Sequence, residues 1–404
     1  MTASSKFFRW FLRSVALLLG AIVVVLVAIW FIYSPAKPDA FYAQPSTLPA
    51  KPGELLRAEP FVRDVPHGAQ GWRILYTTTR ENGTPAVASA IVVASVAATD
   101  AAHPIVAWMH GTTGIAEGCA PSLLEHPFDG VPALDLAIQH GWVVVATDYA
   151  GLGTVGPHHY LVGADEAHSA LDSIRAVHEL RGLSTTNNVV VWGHSQGGHT
   201  ALWTGILSAS YAPDVHIAGV AALAPATDLP VLVDRSQETS IGKILSSYIV
   251  MAYNATYEDV VPSKTLRFGT GFLAKDISRR CLDGPSSTPL IAESALLHRS
   301  IFENNPTSGA LGKRLTENIP SGRIDAPVLI AQGLDDNLVL PSVQQAFVRR
   351  ACDKDQSINY YTYTGRDHVS LLASDSPLIA DLMNWSQDRL LGVMSAKGCF
   401  SKSH

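Results

Sequence analysis

Short apolar runs alternate with stretches of helical periodicity along most of this chain. The run from Val189 to Trp192 is β-branched and aromatic, which is typical of a buried strand. Comparable runs that predict strands lie at 72–80, 86–94, 105–109, 142–147, 217–223, 327–332 and 358–363. Helical patterns lie at 132–140, 164–180, 343–352 and 377–391, and another begins just after residue 195. The first two strands, joined by a turn at Glu81-Asn82-Gly83, predict an antiparallel pair. The remaining alternation predicts a mostly parallel sheet with helices on both faces, which is an α/β fold.

The alternation is interrupted once, between residues 226 and 325. This stretch contains apolar helical runs at 244–253 and 290–302 but no convincing strand. We interpret it as a helical cap inserted into a single α/β core, whose two parts are residues 72–225 and 326–404. Residues 37–71 are rich in proline and predict an extended lead-in to the first strand.

The N-terminus predicts export. Residues 14–36 carry no charge and would form a helix of about 35 Å, enough to cross a hydrocarbon layer of about 30 Å. The basic residues Lys6, Arg9 and Arg13 precede it, so residues 1–13 are expected in the cytosol and the body outside. A cleaved signal ending near Ser34-Pro35-Ala36 is the alternative, but the apolar stretch is longer than signals usually have. We favour an uncleaved membrane anchor, and both interpretations export the body.

Composition excludes several classes of function. Hydrophobic residues make up 47% of the 404 positions and charged residues 16%, which argues against a disordered chain. Beyond residue 36 the chain has 26 basic and 35 acidic residues, a net charge of −9, so nucleic acid is not an expected partner. No residues have metal-ligand spacing, and the G-x-G-x-x-G at 151–156 precedes a proline rather than a helix, so neither a metal nor a dinucleotide is expected.

The four cysteines lie at positions 119, 281, 352 and 399, without zinc or redox spacing. In an exported body they predict two disulfides, and the residues alone leave all three pairings open.

A G-x-S-x-G sequence at 193–197 follows the strand at 189–192 and opens a helix. That is the context of a nucleophile elbow, in which a strained serine, here Ser195, presents its hydroxyl above a sheet. A serine hydroxyl needs a base, and the base needs an orienting acid. In chains with such an elbow the acid and then the histidine follow the serine.

Two histidines follow the resumed sheet. His404 is terminal and expected to be frayed, whereas His368 lies in a loop directly after the strand at 358–363, where catalytic residues are presented. The acid should follow the strand at 327–332, which leaves two adjacent candidates, Asp335 and Asp336. Histidines 158, 159, 194 and 199 are assigned to loops, turns and packing rather than to base catalysis.

An oxyanion hole needs two backbone N–H donors. One is expected from Gln196, the residue after the serine, and the other from the glycine-containing loop 110–114. Thr112 is the first choice for this second donor and Thr113 the alternative. Gly111, Thr113 and Tyr149 are expected to contact the substrate.

These motifs together resemble the secretory lipase family of the α/β-hydrolase superfamily. The matching pieces are D-A-F-Y at 39–42, P-G-E-L-L-R at 52–57, H-G-T-T-G at 110–114, D-Y-A-G-L-G at 148–153, G-H-S-Q-G-G at 193–198, and the late Asp336 and His368. The resemblance favours Asp336 as the acid through its G-x-x-D-x-x-V spacing and leaves Asp335 as a solvated or turn-capping residue.

The resemblance implies hydrolysis of carboxylic esters by a lipase or esterase, without a metal or organic cofactor. It also implies a helical lid, which fits residues 226–325, and pairs Cys119 with Cys281 and Cys352 with Cys399. Many relatives are released from the cell, whereas this chain is expected to stay anchored. The rival functions are a thioesterase, peptidase or acyltransferase on the same scaffold, and a non-catalytic cell-surface binding module. The Ser, Asp, His order argues against the binding module.

Overall fold

A ten-stranded, mostly parallel sheet forms the centre of the molecule. The computed structural model describes residues 3–97 and 101–404. The strands are β1 Leu55–Phe61, β2 Ala69–Thr79, β3 Pro85–Ser95, β4 His103–Met109, β5 Val143–Thr147, β6 Thr185–His194, β7 His216–Leu223, β8 Val328–Gly333, β9 Ile358–Tyr363 and β10 Cys399–Ser403. Their order across the sheet is β1-β2-β3-β5-β4-β6-β7-β8-β9-β10. The first three strands and the β3–β5 pair are antiparallel, and every other pair is parallel, as the alternation of strands and helices predicts.

Helices cover both faces of this sheet, and others lie outside it. The helices of the described residues are α1 Ala3–Ile32, α2 Leu134–Gln139, α3 Gly163–His178, α4 Gln196–Tyr211, α5 Leu229–Ser236, α6 Ser240–Thr256, α7 Pro262–Thr265, α8 Gly271–Ile277, α9 Ser287–Leu296, α10 Gly309–Glu317, α11 Pro341–Cys352 and α12 Leu378–Leu390. Leu171 and Ala201, on α3 and α4, belong to the core on one face, while Ile138 and Leu382, on α2 and α12, belong to the core on the other. The α/β-hydrolase architecture predicted from the sequence is therefore confirmed.

Two edge strands differ from the sequence prediction. β1 lies inside the expected lead-in 37–71 and pairs with β2, and β10 pairs in parallel with β9. Both are at the outer edges of the sheet, where β1 is only partly buried and β10 is exposed. An edge strand buries little apolar surface, so neither segment has the alternating or continuous apolar pattern that predicts a strand.

The cap consists of α5 to α10, and residues 226–325, all of which are described, contain no strand. It has its own apolar core, which includes Leu229, Tyr248, Ile277, Leu290 and Leu315. Two disulfides form, Cys119–Cys281 and Cys352–Cys399, in the pairing that the resemblance implies. The first joins the loop after β4 to the cap, and the second joins α11 to β10.

Helix α1 contains the predicted anchor. Its window Phe8–Val25 has a mean hydropathy of 1.9 and is unburied, and the helix is long and apolar enough to cross a membrane. A signal sequence near an N-terminus has the same properties, so anchoring stays a prediction. The helix ends at Ile32, four residues before the predicted boundary at 36. Residues 1 and 2 of the predicted cytosolic segment 1–13 lie outside the described residues.

Candidate active site

Ser195 occupies the sharp turn between β6 and α4. Its backbone lies at φ 57° and ψ −117°, a strained conformation for a residue other than glycine and typical of a nucleophile elbow. The flanking glycines are required by space. A β-carbon on Gly193 would lie 2.0 Å from the carbonyl oxygen of Gly197, and one on Gly197 would lie 1.9 Å from that of Met109. The spacing of the motif therefore follows from the tightness of the turn.

The structure brings Ser195, His368 and Asp336 together. The Ser195 hydroxyl lies 2.9 Å from Nε2 of His368, and Nδ1 of His368 lies 2.7 Å from Oδ2 of Asp336. Asp336 follows β8 and His368 follows β9, so both come from the carboxyl ends of neighbouring strands. This is the edge at which an α/β sheet presents functional residues.

Of the two adjacent aspartates, Asp336 is the one that faces the imidazole. Its side chain is buried, and Oδ1 accepts hydrogen bonds from the backbone N–H groups of Leu338 at 2.9 Å and Val339 at 2.8 Å. Asp335 is exposed, and its backbone N–H donates to the carbonyl of Arg366.

Two other histidines, His194 and His404, are not positioned to act as the base for Ser195. His194 is half-buried, and its Nε2–H donates to the carbonyl oxygen of His368 at 2.9 Å. Burial and the nearby His368 lower the pKa of His194 to about 3, so it stays neutral and supports the His368 loop. The expectation that His404 is frayed is wrong, because Nε2 lies 2.7 Å from Asp381 and the ring stacks on Tyr363. His404 takes no part in the hydrogen bonds among Ser195, His368 and Asp336. Its contacts with Asp381 and Tyr363 stabilise the end of β10.

The loop 110–114 passes directly beside the elbow. A β-carbon on Gly111 would lie 3.4 Å from Nδ1 of His194 and 3.8 Å from Cβ of Ser195, which are ordinary contact distances, so the loop packs against the elbow. The hydroxyl of Thr112 lies 2.7 Å from that of Tyr160, and the carbonyl of Thr113 accepts from Leu282 N–H at 2.7 Å. The loop is thus held from the core and from the cap. Gln196 opens α4, where the first N–H groups of a helix lack intrahelical partners and can bind an anion.

The expectation that Tyr149 contacts the substrate is not met by its placement. Its backbone φ is +61°, which turns the side chain under the loop, where it is almost fully buried. The hydroxyl donates to the carbonyl of His110 at 3.1 Å, and the ring packs on the His110 and His158 rings. Tyr149 therefore packs behind the loop 110–114 and does not line the cavity in front of Ser195.

A buried glutamate beneath the elbow was not anticipated. Glu166 of α3 accepts hydrogen bonds from the Gln196 side-chain amide and the Thr200 hydroxyl, both at 2.6 Å, and from the Leu161 N–H at 2.9 Å. The side chain of Gln196, whose N–H is the expected oxyanion donor, is thereby fixed from below. The signal was present in the sequence, because Glu166 lies four residues before Ala170 and eight before Ile174, on the buried face of the helix.

Two histidines accompany this carboxylate. His158 and His199 each lie 3.7 Å from Glu166; His158 is in a loop, as expected, but is buried there. Burial lowers the pKa of His158 to about 4 despite the carboxylate nearby. Burial raises the pKa of Glu166, but the facing imidazoles and the Thr200 hydroxyl outweigh it and hold the pKa below its ordinary value. The glutamate is therefore ionised at neutral pH.

In front of Ser195 lies a cavity of about 590 Å³, lined also by His368 and by residues 111–113. Leu245 of α6, together with Leu282 and Leu338, forms an apolar part of the wall. Such a volume suits a small-molecule substrate. Among residues 3–97 and 101–404, no group of three or more His, Cys, Asp or Glu could hold a metal ion.

Comparison with known proteins gives matches along most of the chain. Residues 132–283 match the family described as "Secretory lipase". The chain is 28% identical to lipase A of Moesziomyces aphidis over 195 residues, which cover 45% of this chain and 41% of that protein. It is 24% identical to the secreted triacylglycerol lipase LIP3 of Malassezia globosa over 394 residues, covering 89% of this chain and 83% of that one.

The fold is also that of a solved lipase. The closed state of Candida antarctica lipase A superimposes with a TM-score of 0.75 at 19% sequence identity, covering 91% of this chain and 89% of the other. The similarity to the secretory lipases that the sequence predicts is therefore confirmed, the comparisons support a carboxylic ester hydrolase, and the fold is that of an α/β hydrolase.

Proposed function

We propose that the protein hydrolyses carboxylic esters of lipids with Ser195 as nucleophile, His368 as base and Asp336 as orienting acid. The observation that carries the proposal is the continuous pair of hydrogen bonds from the Ser195 hydroxyl through the imidazole to the buried carboxylate, at 2.9 and 2.7 Å. The family relationship supports the reaction class, lipid ester hydrolysis.

In the proposed first half-reaction, Oγ of Ser195 attacks the ester carbonyl while Nε2 of His368 takes the hydroxyl proton. Asp336 accepts the hydrogen bond from Nδ1–H, which fixes the tautomer and stabilises the imidazolium that forms. The negative oxygen of the tetrahedral intermediate is held by the backbone N–H groups of Gln196 and Thr112. His368 then donates its proton to the departing alcohol, which leaves an acyl-enzyme on Ser195.

In the second half-reaction, water replaces the alcohol. His368 takes a proton from the water, the hydroxide oxygen attacks the acyl carbonyl, and the same N–H groups hold the second tetrahedral intermediate. Its collapse returns the proton to Ser195 and releases the carboxylic acid. The proposed chemistry uses no metal and no organic cofactor.

The cavity and the similarity to a triacylglycerol lipase support a lipid ester as the substrate. The Malassezia globosa relative is called a triacylglycerol lipase, and the apolar wall formed by Leu245, Leu282 and Leu338 suits an acyl chain. Gly111 and Thr113 are proposed substrate contacts, because both line the same cavity as Ser195.

The catalytic body lies outside the cytosol, in agreement with the two disulfides and the apolar N-terminal helix. We further propose that residues 14–36 anchor it, with residues 1–13 in the cytosol. In this division of the chain, residues 226–325 are a lid over a core made of 72–225 and 326–404.

The test is the variant Ser195→Ala, assayed with a short p-nitrophenyl ester. It should lose hydrolysis and labelling by a fluorophosphonate while keeping its thermal unfolding transition. Ser208→Ala, on the same helix α4 but away from the cavity, is the matched control and should keep both activities. Full activity in Ser195→Ala would exclude the proposed nucleophile. Parallel assays with the matching amide and thioester separate an esterase from a peptidase or a thioesterase.

A further inference from the structure

The cap carries an exposed aromatic and basic segment that the proposed chemistry does not use. Phe268, in the turn before α8, is fully exposed, and Phe272 on α8 is 80% exposed. Lys275 on α8 and Arg279, just after the helix, are also exposed. The other side of α8 packs inward, since Ala274 and Ile277 are buried in the core of the cap. The two exposed phenylalanines therefore add little to the packing of the cap.

The charge of this segment is opposite to that of the body. Residues 262–281 contain five basic residues and one acidic residue, a net charge of +4, whereas the chain beyond residue 36 has a net charge of −9. Lys264, Lys275 and Arg279 are exposed, and within the part of the chain that the structure describes none of them forms an ion pair. Aromatic side chains beside long cationic ones are the composition that binds anionic lipid surfaces, because the rings enter the interface and the cations meet phosphate groups.

The neighbouring helix also carries exposed apolar side chains. α9 packs against α8, and its Ile291 and Leu296 are exposed. Single exposed apolar residues need no explanation, but four large ones on two packed helices and the turn before them are a concentration of the kind that marks an interaction site.

We propose that the segment 262–281, with Phe268 and Phe272 as inserted side chains and Lys264, Lys275 and Arg279 as phosphate contacts, docks the body on an anionic lipid surface. The segment ends at Cys281, which is bonded to Cys119, and the next residue, Leu282, lines the cavity and donates to Thr113. Docking therefore places the wall of the cavity next to the lipid. The inference rests on the surface of the cap and is independent of the proposed chemistry.

The experiment uses the full-length protein as purified, carrying Ser195→Ala so that the lipid is not consumed. It is mixed with vesicles of phosphatidylglycerol or of phosphatidylcholine that contain a phospholipid with a photoactivatable diazirine in its acyl chain. After illumination, mass spectrometry measures how much lipid is attached to the peptides covering residues 262–281. Labelling of this segment reports its own contact with the lipid, whether or not α1 is inserted.

We expect strong labelling of residues 262–281 on phosphatidylglycerol. The double variant Phe268→Ser/Phe272→Ser should lower it by about tenfold or more, because two aromatic side chains no longer enter the apolar layer. Lys275→Glu/Arg279→Glu should lower labelling on phosphatidylglycerol and leave phosphatidylcholine unchanged.

The matched controls are Leu391→Ser/Met394→Ser, which removes two exposed apolar side chains elsewhere, and Lys354→Glu/Lys397→Glu, which reverses two exposed charges elsewhere. Both should keep the labelling of residues 262–281. In the active background all four pairs should hydrolyse the soluble p-nitrophenyl ester at the unaltered rate, which shows that they fold. Equal labelling on both lipids, or labelling that survives the phenylalanine pair, overturns the proposal and leaves the ester chemistry untouched.

Discussion

Asp336→Asn is the sharpest test of the proposed catalytic residues, because it turns one acceptor oxygen into an NH₂ donor at almost no change in volume. In the native chain Oδ1 of Asp336 accepts from the N–H groups of Leu338 and Val339. Oδ2 accepts from Nδ1–H of His368 and, at 3.2 Å, from the Gln332 amide, which also donates to two backbone carbonyls. An asparagine has one acceptor oxygen and one NH₂ donor in these places. One of the two native sets of hydrogen bonds must therefore be lost.

The two orientations of the new amide can be compared from these contacts. Turning the NH₂ group towards the backbone would oppose it to two N–H donors in a buried site, at about 1–3 kcal/mol for each donor left unsatisfied. The amide oxygen therefore stays on Leu338 and Val339, and the NH₂ group faces Nδ1 of His368. That nitrogen must then be the acceptor, so the proton moves to Nε2, and the imidazole can no longer accept the proton of Ser195. In triads of this kind the wrong tautomer costs about 10⁴-fold in kcat, or about 5.5 kcal/mol of transition-state stabilisation.

The assay is the steady-state hydrolysis of a short p-nitrophenyl ester at neutral pH, with thermal unfolding measured on the same preparations. Asp336→Asn should lose about 10⁴-fold in kcat with a much smaller change in KM. The neighbouring Asp335→Asn is the matched control, since its side chain is exposed and should leave kcat unaltered. A loss in Asp336→Asn of less than about tenfold, or an equal loss in Asp335→Asn, would refute the assignment of the acid.

Three further predictions concern the support of the site. Glu166→Gln turns one of two buried acceptor oxygens into a donor, either Oε1 beside the Gln196 amide and the Leu161 N–H or Oε2 beside the Thr200 hydroxyl; it should destabilise the fold by about 2–4 kcal/mol in chemical denaturation and lower kcat more than KM, and an unchanged kcat would contradict the positioning role. The imidazole of His158, with a folded pKa of about 4, binds its proton more weakly than in the unfolded chain. The contribution of His158 to stability should therefore be complete above the ordinary histidine pKa and be lost by about 1.4 kcal/mol per pH unit between about pH 6.5 and pH 4, and His158→Gln should flatten the measured slope by that amount. Replacing the Cys119–Cys281 disulfide with two serines should cost about 2–5 kcal/mol, measured as a shift in the denaturation midpoint; a shift no larger than for the Cys352–Cys399 pair would argue against its greater loop length as the cause.

The sequence predicts the centre of the fold and the polar residues that face each other there. A buried parallel strand needs an apolar run, and an elbow at a strand end needs glycines, so both constraints are visible in the residues at 189–197. His368 and the pair Asp335 and Asp336 follow from chain order and from their places after two strands, and the resemblance to the secretory lipases favours Asp336 of the pair. The structure shows their mutual distances, which no pattern of single residues contains.

The other features of the site depend on the orientation of side chains and on their packing, which the sequence does not show. Tyr149 lies in a matching motif, but a positive φ turns its ring away from the cavity. Glu166 lies on the apolar face of its helix but also in the first turn, where a carboxylate is ordinarily exposed and stabilises the helix N-terminus. Its contact with the Gln196 side chain is visible only in the assembled core. The terminal His404 is held by Asp381, a partner on another element, so its position in the chain gave the wrong expectation.

The disulfide between Cys119 and Cys281 also determines how the cap can move. The cap is joined to the core at three places: before α5, after α10, and in its middle through Cys281. The chain is thereby divided into two closed loops, one containing α5 to α8 and the other α9 and α10. A rigid swing of the entire cap away from the sheet would have to break a covalent bond. A motion that widens the entrance and keeps this bond must move helices within one of the loops, and α6 of the first loop places Ile241 and Leu245 against the cavity.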